Sequence, residues 1–408
     1  MSIIEDVKAY LQSGEKNSQD IGLEIEHFVV DENGDQIGFD LVTRLIEERI
    51  AENHAKPYIT DGHIVGYDTG EYTVTLEPAC QFEVSVYPRK DLGEILSIYN
   101  AFYKEWEAIF AEYGYRILTR GNLPKVELGE ITPREIPLSP KLRYKYMNRY
   151  FRTSGQYGRY MMRASGSTQV SIDYRSEEDM VRKLRILEII SPFLMILMEN
   201  KSKEDSCLPG VNDKPHLLRI QEWEDLDPAR TGYFPKSFDS DFGYASIADT
   251  IVNTPLILLN DKGETTYVAE KTALDLINDG TIDYDRRDAA DRKQLIEHFI
   301  SMGFFHYRVK KYIEIRIADA VPIEKSVAFA ALIKGLLYSE EGLTALEKLF
   351  RNVAGIEEIQ QATEAVERDG VDASVYEGRR AQEWIDAILD IAEKAADEDD
   401  KKYLEKIG

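Results

Sequence analysis

The chain has 408 residues, 43% hydrophobic and 30% charged, with a formal net charge of -24. The apolar share fits a globular protein with a sizeable core, while the acidic balance argues against a nucleic-acid partner or an anionic membrane, both of which call for stripes of Lys and Arg. Two cysteines, Cys80 and Cys207, make neither a disulfide framework nor a cysteine-based zinc site, and a charged N-terminus without an apolar signal core points to a cytoplasmic protein.

Residues 2–13 read as a short amphipathic helix. The stretch Ile21 to Asp31 then alternates apolar and polar residues over the length of one strand, so Glu24, Glu26 and Phe28 share one face and Leu23, Ile25 and His27 the other. Two carboxylates on a core strand are costly unless a cation lies between them, and a hard divalent cation such as Mg²⁺ suits carboxylate oxygens. The alternative is an ordinary solvated face. Asp31 to Asp35 reads as a hairpin turn around Asn33-Gly34. A calcium loop is excluded there, because the glycine is misplaced and Val42 stands where a closing Glu is needed.

Residues 40–53 look helical. Thr73 to Pro78 and Gln81 to Val86 form a second strand region, bent at Pro78, and carry Glu77 and Glu83. Residues 91–113 form a long helix with a core stripe. A proline-punctuated connector from Asn122 to Pro140 leads into the basic, aromatic Lys141 to Met147, which includes Arg143. After the small-residue turn Ala164 to Ser167 comes a strand, Thr168 to Asp173, with Gln169 on it. The helix at 177–200 contains the apolar run Ile189 to Met198, too short to cross a bilayer. The stretch 201–243 reads as loop-rich and carries Arg219 and Trp223. Residues 288–302 are helical, and Tyr312 to Ile317 is a further strand with Glu314 and Arg316 on one face. From about 326 the chain is helical, and Asp397 to Lys402 reads as a solvated charge run. Antiparallel-type strands separated by long helices predict an α+β fold. Nothing in the sequence divides residues 1–408 into separate domains.

Four β-type stretches thus offer Glu24 and Glu26, Glu77 and Glu83, Gln169, and Glu314 with Arg316. If they line one cavity, the carboxylates call for divalent ions, alone or with ATP phosphates. Arg143, Arg163, Arg219 and Arg316 would then hold phosphate or a substrate carboxylate, to which the guanidinium fork is suited. There is no phosphate-binding Gly-x-x-x-x-Gly-Lys loop, no Gly-x-Gly-x-x-Gly, no zinc helix and no serine-nucleophile elbow. His27 reads as a core histidine and Cys80 as a small buried cysteine.

Taken in order, these stretches resemble the glutamate–cysteine ligase family, most clearly its plant-type and bacterial branch. The resemblance rests on Gly22-Leu23-Glu24-Ile25-Glu26, Leu76 to Ser85, Pro140 to Tyr144 with Met147, Met161-Met162 with Thr168 to Asp173, Trp223 to Gly232, and Tyr312 to Asp319. It implies a fold related to glutamine synthetase and the guanidino kinases, with a curved antiparallel sheet lining a funnel and flanked by helices. It implies ATP and Mg²⁺ (or Mn²⁺). Glu24, Glu26, Glu77, Glu83 and Glu314 become the metal-binding candidates, and Gln169 and Arg316 the nucleotide-binding ones. Arg143, Arg163, Arg219 and Trp223 become substrate-binding, and Arg316 and Glu26 catalytic. The implied reaction joins the γ-carboxylate of glutamate to the amine of cysteine through an acyl phosphate, a step of glutathione biosynthesis. Three departures bear on the acceptor pocket. Ala164 to Ser167 replaces Arg-Thr-Cys-Thr, with Arg163 one place early; Ala79-Cys80 replaces Gly-Gly; and Ile317 replaces the Gly after Glu-x-Arg. A ligase of the same fold with another amine or acid, and a non-catalytic metabolite-binding protein, are the alternatives.

Overall fold

The computed structural model describes residues 2–407. Among them the strands are β1 (Ile21–Val30), β2 (Lys56–Thr60), β3 (His63–Asp68), β4 (Tyr72–Leu76), β5 (Phe82–Arg89), β6 (Arg116–Leu118), β7 (Ser167–Ile172), β8 (Thr231–Gly232), β9 (Leu258–Asp261), β10 (Glu264–Tyr267), β11 (Phe304–Phe305), β12 (Tyr307–Val309) and β13 (Ile313–Asp319). Nine of them form one sheet in the order β12-β13-β7-β1-β5-β4-β3-β2, with β6 also paired to β1. Every pairing within it is antiparallel. The remaining strands make two small pairs, β9 with β10 and β8 with β11. Antiparallel sheet and separate helices together make the α+β fold that the strand and helix patterns predict.

The period of two decides which residues enter the core. Leu23 and Ile25 of β1, Val84 and Val86 of β5, Val170 and Ile172 of β7 and Ile313 and Ile315 of β13 are all buried in one apolar cluster. Three long helices, Leu92–Glu112, Glu177–Leu197 and Ile323–Leu337, pack on that side of the sheet. The first opens on Asp91, whose carboxylate accepts from the Gly93 amide at 2.7 Å. The second opens on Ser176 and places Glu177, Glu178 and Asp179 in its first turn, where the helix dipole favours negative charge. His27 follows the apolar face as expected. It is 1% exposed, with its ring nitrogens 2.9 Å from the Phe82 carbonyl and 2.7 Å from the Tyr99 hydroxyl. Burial lowers its pKa to about 4, so it is a neutral core residue. Phe28, on the Glu24 and Glu26 side, packs in a second small cluster with Leu123, Val126, Ile136 and Ala164.

Pro78 bends the chain between β4 and β5 as predicted. Cys80 closes that turn with φ +64°, a left-handed conformation that costs a non-glycine residue about 1 kcal/mol. Its thiol is buried and its pKa pushed up to about 12.

Four local expectations are corrected. Strands β2 and β3 were not anticipated: β2 is an edge strand with mostly exposed residues, so it lacks the apolar alternation that betrays a buried strand. The turn after β1 forms, with the Asp31 carboxylate accepting from the amides of Asn33 and Asp35 at 2.9 Å each. The returning chain, however, pairs only at a single bridge, Val30 to Gln36. The loop-rich stretch contains a helix, Leu218–Glu224. The acidic run near the end is not wholly solvated: Asp400, in the helix Glu398–Leu404, is 5% exposed and pairs with the buried Lys334 at 2.6 Å.

That buried pair ties the end of the chain to the central helix Ile323–Leu337. Removing one partner of a buried pair leaves an uncompensated charge. Asp400→Ala is therefore expected to cost about 3 kcal/mol in urea unfolding, while Asp400→Leu combined with Lys334→Met recovers most of that loss.

Candidate active site

On the face of the sheet away from the long helices, the polar half of each strand pattern converges on one cavity of about 340 Å³, within the range of small-molecule sites. Glu24 and Glu26 come from β1, Glu83 from β5, Gln169 from β7 and Glu314 and Arg316 from β13. Register brings them together: Glu24 stands opposite Gln169 on β7, Glu26 opposite Glu83 on β5, and Glu314 opposite Arg308 on β12. Glu77 enters from the β4–β5 turn, Arg143 from the helix Leu142–Tyr150, and Arg219 and Trp223 from the helix Leu218–Glu224.

The charges are sorted. At one end Glu314 is surrounded by cations: Lys310 Nζ at 3.1 Å, Arg308 Nη1 at 3.2 Å and Arg316 Nη1 at 3.7 Å. Burial alone would raise its pKa, but the three cations outweigh it and hold the carboxyl at about 2. Arg316 also donates to Gln169 Oε1 at 2.8 Å. At the other end the carboxylates have too few cations. Burial, then Glu77, Glu24 and Glu26, push Glu83 well above the usual range. Burial and the neighbouring Glu77 raise Glu26 to about 7, although its Oε2 accepts from the Ser167 amide at 2.8 Å. Burial and Glu314 raise Glu24 to about 6 against the opposing pull of Lys310, Arg316 and Arg308, so Glu24 interacts with both ends. Like charges directly opposite in a ladder are destabilising, so the facing Glu26 and Glu83 mark a place where the sheet accepts repulsion.

Between the two ends sits Arg219, 3% exposed. Its Nη2 donates to the Arg316 carbonyl at 3.1 Å, and its Nε and Nη1 are buried without a hydrogen-bond partner. A buried guanidinium with two unused donors is suited to a carboxylate or phosphate. Trp223 forms a wall beneath Arg316, whose guanidinium lies 5.9 Å from the centre of the indole. Arg143 donates to the Ser301 hydroxyl at 3.3 Å and carbonyl at 3.2 Å.

The cavity gathers every candidate except one. Arg163 lies outside it and donates from Nε to the Ile136 carbonyl at 3.0 Å. It belongs to the helix Gly158–Ala164, from which Met161 lines the cavity. Two positions further on is about 200° round the axis, so Arg163 turns away. The metal expectation also changes in detail. Among the described residues no three His, Cys, Asp or Glu side chains are already drawn together as ligands, and Glu314 is occupied by its cations. Glu24, Glu26, Glu77 and Glu83 do fit a hard divalent cation in chemistry: they are oxygen donors that share one cavity and repel one another.

Arg308 and Lys310 were not anticipated. Their signal was in the sequence: basic residues two apart in Tyr307-Arg308-Val309-Lys310, immediately before the Glu314 strand, face the same side as Glu314 across the hairpin.

Residues 20–408 match the model of the Glutamate-cysteine ligase family 2 (GCS2). The chain is 30% identical to the chloroplastic glutamate–cysteine ligase of Nicotiana tabacum over 351 residues, which covers 83% of this chain and 63% of the relative. It is also 30% identical to that of Arabidopsis thaliana over 349 residues, covering 84% and 64%. The match thus spans less than two thirds of those relatives' own length. A glutamate–cysteine ligase from Francisella tularensis, solved in complex with AMP, superposes with TM-score 0.51 at 14% identity, covering 96% of this chain and 81% of that one. It shares the fold.

The carboxylate end makes a pH prediction. Glu26 titrates near 7 when folded against a reference of 4.5. Its stability contribution is complete below the reference value and is lost as pH rises through the folded value. In magnesium-free buffer, wild type should lose stability relative to Glu26→Gln between about pH 5 and about pH 8, on the order of 2 kcal/mol. Added Mg²⁺ should raise the wild-type melting temperature more at the higher pH, where protons no longer compete for the carboxylates. Parallel thermal melts of the two proteins check both.

Proposed function

Since the chain belongs to the Glutamate-cysteine ligase family 2, we propose that it is an ATP-dependent ligase that joins the γ-carboxylate of glutamate to the amine of cysteine. The observation that carries this reading is the sorted cavity: a carboxylate end suited to metal, a cationic end suited to phosphate, and the unpaired donors of Arg219 between them. In this reading the curved sheet lines the family's funnel, the chain acts as one catalytic domain, and its setting is the reducing cytoplasm.

Glu24, Glu26, Glu77 and Glu83 would hold Mg²⁺ or Mn²⁺, and a bound divalent ion would neutralise charge on the phosphates of ATP. The remaining work falls to the chain's own residues. Arg219 takes the α-carboxylate of glutamate with its free Nε and Nη1, and Trp223 packs beside the substrate. Arg316, oriented by Gln169 and Glu314, faces the transferring phosphoryl group, with Arg308 and Lys310 as further counter-charges. A γ-carboxylate oxygen attacks the terminal phosphorus, the bond to ADP breaks, and an acyl phosphate forms. The amine then attacks the acyl carbon, loses its proton, and phosphate leaves. Met147, Met161 and Phe304 on the cavity wall help keep water from the acyl phosphate.

A second reading, a ligase of this fold with another amine, is favoured by one observation: Arg163 faces away from the cavity. The acceptor pocket therefore lacks a charge that the family pattern places one residue later.

Four outcomes are expected. ADP release from Mg²⁺-ATP and glutamate should depend on cysteine, with γ-glutamylcysteine seen by mass spectrometry. Release with glutamate but no cysteine dependence would favour the second reading, and no release with any acid and amine would favour a metabolite-binding protein. Glu26→Gln should abolish turnover with an unchanged circular dichroism spectrum, and Arg316→Lys should lower kcat by about a hundredfold or more. Arg163→Met should leave the KM for glutamate within about twofold of wild type, since a side chain that does not touch substrate contributes no binding energy to it.

A further inference from the structure

Beyond the catalytic cavity, one group of cations lacks the counter-charges found elsewhere in this acidic chain. Arg134 lies in the 3-10 turn Pro133–Glu135, Arg152 just past the helix Leu142–Tyr150, and Arg159 and Arg163 one turn apart on the helix Gly158–Ala164. The turn and the last helix pack together, and Arg163 Nε donates to the Ile136 carbonyl next to that turn at 3.0 Å.

Arg163 is 8% exposed, and its Nη1 is buried with no hydrogen-bond partner. Leaving a guanidinium desolvated and unpaired is costly. Two acids on or beside these segments are otherwise engaged. Glu135 accepts from the Thr132 amide at 2.8 Å, and Asp225 from the amides of Gln156 at 2.5 Å and Tyr157 at 3.0 Å. Arg134 and Arg152 repel Arg159, and Arg159 repels Arg163, with no carboxylate opposing either effect. In a chain of net charge -24, these arginines are left electrostatically coupled with no acidic partner.

We propose that Arg134, Arg152, Arg159 and Arg163 form a second anion site, separate from the catalytic cavity, that takes a phosphate-chain ligand of the pyrophosphate class. The charge density selects the ligand. Four guanidinium groups on three segments match several phosphoryl oxygens spread along a short chain, each able to accept from a planar fork. A monocarboxylate would satisfy only one. The site stands on residues outside the ligase machinery, so it holds whether or not the ligase reading does.

The test is isothermal titration calorimetry of the magnesium-free full chain with pyrophosphate at fixed ionic strength, with citrate as the non-phosphate polyanion. Arg134→Ser and Arg159→Ser alter side chains that make no hydrogen bonds in the fold, and Arg316→Gln disables the cavity instead. Pyrophosphate should still bind Arg316→Gln, because the arginine cluster does not depend on the cationic end of the cavity. The Arg134→Ser/Arg159→Ser protein should bind about tenfold more weakly or worse, and citrate should bind more weakly than pyrophosphate. The proposal falls if wild type does not bind pyrophosphate, if the double variant binds as wild type does, if Arg316→Gln alone removes binding, or if citrate binds equally well.

Discussion

The contact on which the site depends is the set of three cations around Glu314. Arg308, Lys310 and Arg316 come from one hairpin and would repel one another in a buried cavity. A single carboxylate on the same hairpin holds them at distances of 3.1, 3.2 and 3.7 Å. In return they keep that carboxylate ionised where burial alone would protonate it. The result is a net positive end to the cavity, reached without bringing cations in from distant parts of the chain. Glu314 thus serves as the anchor of the phosphate-facing end in our reading, a different part from that of the other four glutamates.

The opposite end shows the complementary arrangement. Glu26 and Glu83 face each other across β1 and β5, Glu24 lies one repeat away, and Glu77 reaches in from the bend at Pro78. Burial and repulsion from neighbouring carboxylates outweigh the cations within reach, so Glu24, Glu26 and Glu83 carry raised pKa values. Strain of this kind at the centre of a large, otherwise well-packed sheet is the mark of a site kept for function. Arg219 lies between the two ends and has donors to spare. The apolar face of the same strands packs against three long helices and supplies the stability that allows such an arrangement.

Family membership and geometry bear on the proposed activity by separate routes. The family match covers residues 20–408, while the cavity's charge sorting follows from register and side-chain chemistry alone. The chain departs at three places from the pattern that its resemblance implies. Cys80 adopts a left-handed backbone where the resemblance implies a glycine, Ile317 is buried in the apolar core, and Arg163 lies outside the cavity, bonded to the Ile136 carbonyl.

The sequence by itself determined the strands that matter, because period-two alternation over β1, β5, β7 and β13 separates core residues from cavity residues whatever surrounds them. It also determined the α+β class, the fate of His27 and Cys80, and ten of the eleven candidate residues as lining one cavity, Arg163 being the exception. Edge strand β2 and the helix Leu218–Glu224 stayed hidden, since neither shows a clear apolar rhythm. Only the tertiary structure decided how the charges pair. Register set Glu26 against Glu83, the hairpin added Arg308 and Lys310 to Glu314, and the turn of one short helix carried Arg163 away. Electrostatic partnership depends on distances of a few ångströms across elements far apart in the chain, and spacing along the sequence does not carry that information.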